Sequence, residues 1–529
     1  TQLFVPNGSV FLNEDVNNEY RISDLNLGLV FEKNEKKIFL RDNFVFHKQW
    51  SQDRGSLLMN YTDEILQNRK YDDQHFSNRL AGGRFIGKQL VRFNSEIEWL
   101  KTPQYLNVVP GQMMNVLNDE QPYEMTQQNV TFNKFKFDNT IGLTKKLGNW
   151  DISPYMGFKY TESKVNSSIF LSNEDKIDTL GDGYLNNIRS RKGHLFISTD
   201  FSYERNKWRM RLSVPYNFFV FHIDQQGRNV INNNRQSVTP SLSVNFSIDQ
   251  NNRLSFKSRY GRDFIDLDNL YNAFILSSYR NIQRYTADLL QTDELNSSVN
   301  YEYKNDLKGN FATLSYNQSF MKRGYTFRNE LDELGRTVTS IDNRSSNSTT
   351  HRIKGSFSRY FWQLKTIVKA SGLLGLGMSD YLLNDIFAQR KMYQHGASLD
   401  VSNSLISMLN VDYKSRLSFL KSDLAGAQSN KILVNSHFLN FVLYLTDASS
   451  IFVDNSYYLY KNNSQKNQYF LDITYRYLLK RLNADLELSG QNLFNRQGYV
   501  QQFSTDYQVV QSFFNLRPRQ VLLSILFRL

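Results

Sequence analysis

Cysteine is absent from the 529 residues of the sequence. Its absence excludes disulfide bonds, cysteine nucleophiles and thiolate metal sites. Proline is scarce, with 8 residues, so few strands would be interrupted. A membrane helix needs roughly 18 or more consecutive apolar residues, whereas the best run, residues 438–445, is short and contains Asn440. Residues 1–12 also lack the basic and apolar regions of a signal peptide.

Aromatic residues are abundant, with 31 Tyr and 39 Phe. Both types favour β-strands, and Tyr suits the interface between membrane and water. The mean hydropathy of −0.53 is nevertheless too polar for a bundle of membrane helices. A transmembrane barrel reconciles these properties, because one face of each strand meets lipid while the other lines a polar lumen.

Apolar and polar residues alternate along several pairs of segments, as in amphipathic strands. The clearest pair flanks a polar turn at residues 204–207, and each arm has about ten residues, the length of a tilted membrane strand. We expect the apolar phase of such strands to face lipid, including Trp208, Met210, Leu212, Ile473, Leu486, Leu523 and Ile525. Similar hairpins recur at residues 238–260, 438–460 and 469–488.

Long polar stretches separate these hairpins, at residues 51–75, 162–192, 263–294 and 322–350. Short turns that alternate with long loops are typical of outer-membrane barrels, with short periplasmic turns and long extracellular loops. The sequence therefore predicts an all-β fold: one transmembrane antiparallel β-barrel of about 22 strands that occupies residues 1–529. We expect the first strand at residues 3–12 and the last at residues 519–529, and we expect the long loops to form lids without a packed core.

The formal net charge is +12, and the cations are scattered along the chain. This distribution suggests two explanations for the positive net charge: contact with outer-membrane lipid and lipopolysaccharide, or a lumen rich in cations. Nucleic acid is not expected as a partner, because no recognised binding module is present.

The C-terminal region carries a family resemblance. Asn492-Leu493-Phe494-Asn495, followed by Tyr499, resembles a segment near the end of TonB-dependent transporters. Residues 516–519 lead into an alternating apolar segment that looks like the final strand of these receptors, although the sequence ends in Leu529 where they usually have an aromatic residue. Residues 273–285 are similar to a loop in some of them.

The resemblance implies uptake of a bulky solute across the outer membrane, without enzymatic activity or a cofactor. The family places a plug domain before the barrel, and we expect no plug within residues 1–529. A barrel of about 22 strands is too wide to be filled by its own side chains, so we expect a plug segment or a partner protein to fill the lumen. A TonB-type energy-coupling protein would accompany a plug, and a surface lipoprotein is a further candidate partner. Two other functions remain open: a scaffold subunit of a larger outer-membrane complex, and a passive porin.

The best candidate for ligand contact is one loop, with Tyr271, Tyr279, Arg280, Arg284 and Tyr285. Aromatic faces and guanidinium groups bind sugars, siderophores or peptides. The alternative is a packed, hydrogen-bonded loop without a ligand.

Other candidate sites are weaker. The seven His residues show no metal-ligand spacing, so no metal site is predicted. Residues 173–183 are acidic and glycine-containing but lack the spacing of an EF-hand, which favours a solvated loop over a calcium site. No pair of nucleophile and base suggests a catalytic site.

Overall fold

The computed structural model of the protein describes residues 2–5, 8–60, 63–87, 89–173, 176–226, 228–264, 269–285, 289–424, 429–460, 467–504 and 508–527. Strands dominate these residues. One short helix, α1 (Met114–Leu117), and 3-10 turns at Asp182–Tyr184, Trp362–Leu364 and Lys480–Leu482 complete the regular structure. Within the described part of the chain, no helix is long and apolar enough to cross a membrane.

The first strands are β1 (Gln2–Val5), β2 (Gly8–Phe11), β3 (Glu14–Glu35), β4 (Ile38–Met59), β5 (Asp63–Ile86), β6 (Gln89–Val109), β7 (Met125–Leu147), β8 (Trp150–Asn173), β9 (Lys176–Thr179) and β10 (Asn186–Arg205). The middle strands are β11 (Trp208–Ser213), β12 (Tyr216–Gln225), β13 (Arg228–Val238), β14 (Ser241–Ser247), β15 (Asn252–Phe264), β16 (Ile275–Ser278), β17 (Asn281–Gln283), β18 (Gln291–Asn305), β19 (Asn310–Arg323), β20 (Thr326–Leu331), β21 (Thr337–Asp342) and β22 (Ser346–Phe361). The last strands are β23 (Thr366–Leu383), β24 (Ile386–Ile406), β25 (Leu409–Leu424), β26 (Asn430–Thr446), β27 (Ser449–Tyr460), β28 (Gln468–Leu479), β29 (Ala484–Gln491), β30 (Gly498–Ser504), β31 (Gln508–Asn515) and β32 (Gln520–Phe527).

The barrel wall is a series of antiparallel neighbours that runs from β3 to β32 in chain order. Interruptions at Pro215 and Pro240 divide two wall strands, so that β11 with β12, and β13 with β14, each form one crossing. Counted in this way, 21 described strands cross the wall. The predicted antiparallel barrel is confirmed, with a count close to the expected 22.

The expected first strand at residues 3–12 is wrong as a wall strand. This segment contains β1 and β2, which pair with each other, and β1 also pairs with β31. Together with β30 they form a separate four-stranded sheet. With four residues each, β1 and β2 are too short to cross a membrane. The last predicted strand is confirmed as β32.

The wall is much taller at its N-terminal side, where β3 to β8 have 21 to 24 residues, than at β29 and β32 with 8 each. Parts of two stretches predicted as loops belong to long strands: residues 51–59 and 63–75 to β4 and β5, and residues 162–173 and 186–192 to β8 and β10. The polar sequence misled the prediction because a strand that extends beyond the membrane can be polar on both faces. We call the end of the barrel with the long connections the outer mouth.

The two end strands of the series, β3 and β32, run in the same direction, and no ladder joins them among the described residues. Both are exposed along almost their whole length. Leu29 on β3 and Val521 on β32 are each 70% exposed, compared with 40% for Leu212 within the wall. Each end strand therefore has a free edge in addition to a free face.

The apolar phase of the wall strands faces outward, as predicted. Trp208, Leu212 and Ile473 are exposed, and the exposed apolar side chains continue from strand to strand, as in the ladder Leu212–Leu242. The opposite phase carries Ser, Asn, Lys and Arg and forms the inner face. The barrel thus has a lipid-compatible exterior and a polar lumen.

We expect Leu212→Arg to destabilise the barrel. Leu212 lies five residues from the turn at residues 206–207, roughly 12 Å above the short-turn end for a strand tilted by about 45°. That depth is near the middle of an apolar band about 25 Å tall, where an arginine costs roughly 2–4 kcal/mol. The free energy of unfolding from lipid bilayers, measured by urea titration, checks this value.

Asn300→Arg is the matched control for Leu212→Arg. Asn300 lies on β18, also five residues from its short turn, but on the inner face between Ser255 and Ser315. An arginine there remains in water, so we expect little change in the free energy of unfolding. Equal stability of the two variants would contradict the assignment of the two faces.

Candidate functional site

One long connection folds into the outer mouth of the barrel. Residues 269–285, which we call the inner loop, lie between β15 and β18 in sequence and contain the hairpin of β16 and β17. Strand β16 of the loop nevertheless contacts β7 and β8. These strands lie several positions along the wall from β15 and β18, between which the loop is inserted. It therefore crosses the outer mouth instead of projecting outward.

Two side-chain amides hold the inner loop against the far wall. The Gln128 side chain donates to the Leu276 carbonyl over 2.7 Å, and the Leu276 amide donates back to Gln128 Oε1 over 2.5 Å. The Asn186 side chain makes the same paired contact with the backbone of Ala273, at 3.1 and 3.0 Å. Both amides are almost fully buried. Each side-chain amide bonds to a backbone N–H and C=O of the loop, as a neighbouring strand would. Four hydrogen bonds therefore fix the position of the loop.

A charged contact fixes the tip of the hairpin. Arg280 forms an ion pair with Glu14, with Nη1 and Oε1 2.6 Å apart, and the Tyr279 hydroxyl donates to the same oxygen over 2.7 Å. The Tyr279 amide donates to Gln67 Oε1 over 2.8 Å. The Glu14 and Arg280 side chains are only 13% and 23% exposed. The tip is thus tied to the first residue of β3 and to β5.

A second outer connection supports the loop from its other side. Strand β17 pairs in parallel with β21. The Thr337 amide donates to the Arg280 carbonyl over 2.7 Å, and the Arg284 amide donates to the Thr339 carbonyl over 2.9 Å. The inner loop therefore lies between the wall and another infolded segment, and the two connections form one layer.

Apolar residues on the inner face fill the space beneath this layer. One cluster joins Leu276 and Ile282 of the loop to Ile65, Leu106, Val108 and Ile169 of β5, β6 and β8. A second cluster joins Leu270, Tyr271 and Ile275 to Val130, Val165, Ile188, Phe219 and Phe221. The prediction that the long loops lack a packed core is wrong for the inner loop. Its buried apolar side chains stabilise the closed arrangement, at roughly 1.5–3 kcal/mol for each large side chain.

The structure places all five predicted ligand residues on the inner loop. Tyr271 is 2% exposed, and its ring centre lies 5.1 Å from that of Tyr285. Tyr279 and Arg280 contact Glu14, as described. Arg284 is exposed, with its guanidinium 4.7 Å from the centre of the Phe274 ring. All five thus have side-chain partners inside the protein, and a role in ligand contact stays a prediction.

Burial also alters the acidity of the loop tyrosines. Loss of water raises the pKa of the Tyr271 hydroxyl far above its usual range. Burial likewise raises the pKa of the Tyr279 hydroxyl. The Arg280 guanidinium lowers this pKa, and the neighbouring Glu14 carboxylate raises it. Both hydroxyls are therefore neutral at physiological pH and serve as hydrogen-bond groups.

A second feature of the lumen was not singled out from the sequence. The inner face of β11, β14, β15, β18, β19 and β22 encloses a concave space of about 870 Å³. Five of its lining residues are cations, which we call the basic wall: Arg211, Lys257, Arg259, Arg352 and Lys354. Each lies on the polar phase of its strand, but only the strand register brings them together.

We expect Gln128→Leu to loosen the inner loop. The substitution keeps the size of the side chain but leaves the buried N–H and C=O groups of Leu276 without partners, at a cost of about 1–3 kcal/mol for each group. Hydrogen exchange at residues 273–283 should accelerate by tenfold or more, since about 1.4 kcal/mol corresponds to a factor of ten. The control is Gln127→Leu on the opposite face of β7, where exchange should not change. Similar exchange in both variants would show that the amide does not hold the loop.

Comparison with known proteins gives similarity at the level of solved structures. No family model and no curated protein matches the sequence. The chain is similar to the ferric citrate transporter FecA, with 9% identity, a TM-score of 0.49 and coverage of 99% of this chain and 77% of that one. It is also similar to the siderophore receptor PiuA from Acinetobacter baumannii, with 9% identity, a TM-score of 0.48 and coverage of 99% and 80%. For the copper transporter OprC the values are 11%, 0.47, 98% and 82%. The likeness concerns strand arrangement, while the barrel itself is established by the ladders described above.

Proposed function

We propose that this chain forms the wall and outer gate of an outer-membrane transporter that takes up a bulky solute through its lumen. The observation that carries the proposal is the inner loop, which lies across the mouth of a wide barrel. A barrel of this size has a lumen broad enough for large solutes. Such a lumen endangers the cell unless it is closed at rest, and a loop held by directed contacts provides a closure that a ligand could release.

The proposal includes a second blocking element and an energy source. The C-terminal resemblance to TonB-dependent transporters supports a plug segment or a partner protein in the lower lumen, and a TonB-type protein that acts on it. A surface lipoprotein would cover the outer mouth from outside. Lipid and lipopolysaccharide would surround the apolar exterior.

Two other functions make different use of the same wall. A scaffold subunit needs the exterior and the loops but no passage, whereas a passive porin needs a lumen that is always open. The anchored inner loop favours a gated transporter over the porin. Six hydrogen bonds and one ion pair hold this loop across the mouth, which makes the opening narrower.

Uptake by host cells tests the proposal. Cells with and without the gene are given a panel of fluorescent solutes, neutral and charged oligosaccharides and metal chelates, all too large for ordinary porins. Loss of one solute class in the deletion strain, with an unchanged set of outer-membrane proteins, is the expected result. Unchanged uptake together with loss of other envelope proteins would establish the scaffold instead. A steady open conductance of the full-length protein in planar bilayers would establish the porin.

A further inference from the structure

We infer that the basic wall binds an elongated, polyanionic oligosaccharide on its path through the lumen. The inference rests on the proposed function where it places the ligand on a transport path, whereas binding itself does not depend on transport. Arg211, Lys257, Arg259, Arg352 and Lys354 line one concave space, and none of the residues around that space is acidic.

The cations of the basic wall are largely uncommitted. Arg211 lies 3.5 Å from Asp200, a long ion-pair contact. Lys257, Arg259, Arg352 and Lys354 take part in none of the ion pairs between the described residues. A nearby carboxylate on the inner face, Glu294, accepts a hydrogen bond from Ser319. Four exposed positive charges on one inner surface repel one another, and an anionic ligand would relieve that repulsion.

The strand register sets the spacing of the charges. Lys257 pairs with Ser298, Ser298 with Asn317, and Asn317 with Arg352. Three strand intervals therefore separate Lys257 from Arg352, or roughly 14 Å at about 4.8 Å per interval. If both side chains extend straight inward from the wall, one small anion is too short to contact both cations. A ligand that neutralises them must be elongated and carry anionic groups at intervals.

The surface between the cations is neutral and rich in hydrogen-bonding groups. Asn296, Ser298, Asn317 and Ser319 occupy the strands between Lys257 and Arg352, on the same face. Hydroxyl and amide groups of this kind match the hydroxyls of a sugar chain, while Arg and Lys match its carboxylate or sulfate groups. An oligosaccharide with acidic units meets both requirements. A chain of phosphates would accept hydrogen bonds from the same row, but without hydroxyl groups it would donate none to the Asn carbonyl oxygens.

Binding by the intact protein in lipid nanodiscs tests the inference. The probes are a galacturonic acid hexamer, a heparin-derived hexasaccharide, a short polyphosphate and neutral maltohexaose, each measured by isothermal titration calorimetry at low and high salt. The test variant R352Q/K354Q removes two cations two residues apart on β22. The control K414Q/R416Q removes two cations with the same spacing on the inner face of β25, outside the concave space.

We expect one or both acidic hexasaccharides to bind at low salt, with an affinity that falls at high salt because ions screen the exposed charges. In R352Q/K354Q the Kd should rise by about tenfold or more, since two charge-assisted contacts are lost. The control should retain the Kd of the unaltered protein. Binding of acidic sugars without uptake of any solute class in the panel would leave the inference standing and overturn the proposed transport.

Three results would overturn the inference. The first is binding of neither acidic sugar. The second is binding of polyphosphate alone, which would replace the sugar by a phosphate chain. The third is an equal rise of Kd in the test and control variants, which would show that binding depends only on the overall charge of the protein. If uptake of a neutral solute class is found at the same time, the transport function stands and only the ligand assignment fails.

Discussion

Replacement of residues 270–284 by a short Gly-Ser linker is expected to open the outer mouth to large reagents. Since the chain has no cysteine, a single reporter thiol at Ser298→Cys on the inner face gives an unambiguous signal. In the unaltered protein a bulky maleimide added outside intact cells should reach this thiol only when the inner loop opens. After the replacement the labelling rate should rise by at least about tenfold, because an opening free energy of about 1.4 kcal/mol already suppresses access by that factor.

A thiol outside the mouth controls for expression and reagent activity. Tyr105 lies near the outer end of β6, on the face opposite the buried Leu106, and is 49% exposed. Labelling of Tyr105→Cys should be equally fast with and without the inner loop. If the loop replacement leaves labelling of Ser298→Cys unchanged, the loop does not restrict the mouth, and the gate must be sought elsewhere.

Reversal of one charge at the hairpin tip should release the loop without deleting it. Arg280→Glu places two carboxylates together at a site where both native side chains are mostly buried. Breaking a buried pair costs about 3–5 kcal/mol, so hydrogen exchange at residues 273–283 should accelerate by at least roughly a hundredfold. The second change, Glu14→Lys, restores opposite charges in the swapped order, and exchange should return partly toward the native rate. The recovery is partial because Tyr279 loses its acceptor.

An exposed ion pair provides the control for this charge reversal. Arg209 and Glu204 also form an ion pair, but both side chains are 67% exposed and lie near the short-turn end. Arg209→Glu should leave exchange in the inner loop unchanged. If Arg280→Glu also leaves it unchanged, or if Glu14→Lys gives no recovery, the ion pair does not fix the loop.

The wall was predictable from the sequence because lipid imposes one rule on every strand. The alternation around Leu212, and the polar turns after Arg205 and Ser247, predict strands and hairpins without knowledge of their neighbours. The long extensions of β4 and β5 were missed because above the membrane water accepts polar residues on both faces. There the pairing of backbone groups continues, but the pattern that reveals a strand disappears.

The anchored inner loop was predictable only in part. Its position in a long connection, and its aromatic and arginine residues, were evident in the sequence. Its partners were not, since Gln128 and Leu276 are 148 residues apart. One signal was available: residues 216–223 are apolar on both phases at Phe218, Phe219, Val220 and Phe221. A wall strand of that composition needs an apolar partner inside the barrel as well as lipid outside.

The basic wall illustrates a different limit. Each of its cations looks like an ordinary lumen residue on an alternating strand. Arg211 and Lys354 are more than a hundred residues apart in sequence, and the register of five successive ladders is needed to place them on one surface. Because a shift of one residue in any ladder would turn later cations toward lipid, sequence alternation alone could not identify the cluster.

The free edges of β3 and β32 have a consequence for how the barrel is sealed. Every ladder between neighbouring wall strands is antiparallel, and the two edge strands point the same way. A seam sealed in the same antiparallel manner therefore requires an odd number of additional strands. The simplest case is one strand that rises toward the outer mouth. A second copy of the chain with the same orientation in the membrane offers only edge strands that descend, and these would meet β3 or β32 in parallel. Parity thus rules out edge-to-edge pairing of two such copies as an antiparallel seal, and in lipid the unpaired backbone groups of each edge strongly favour the single rising strand.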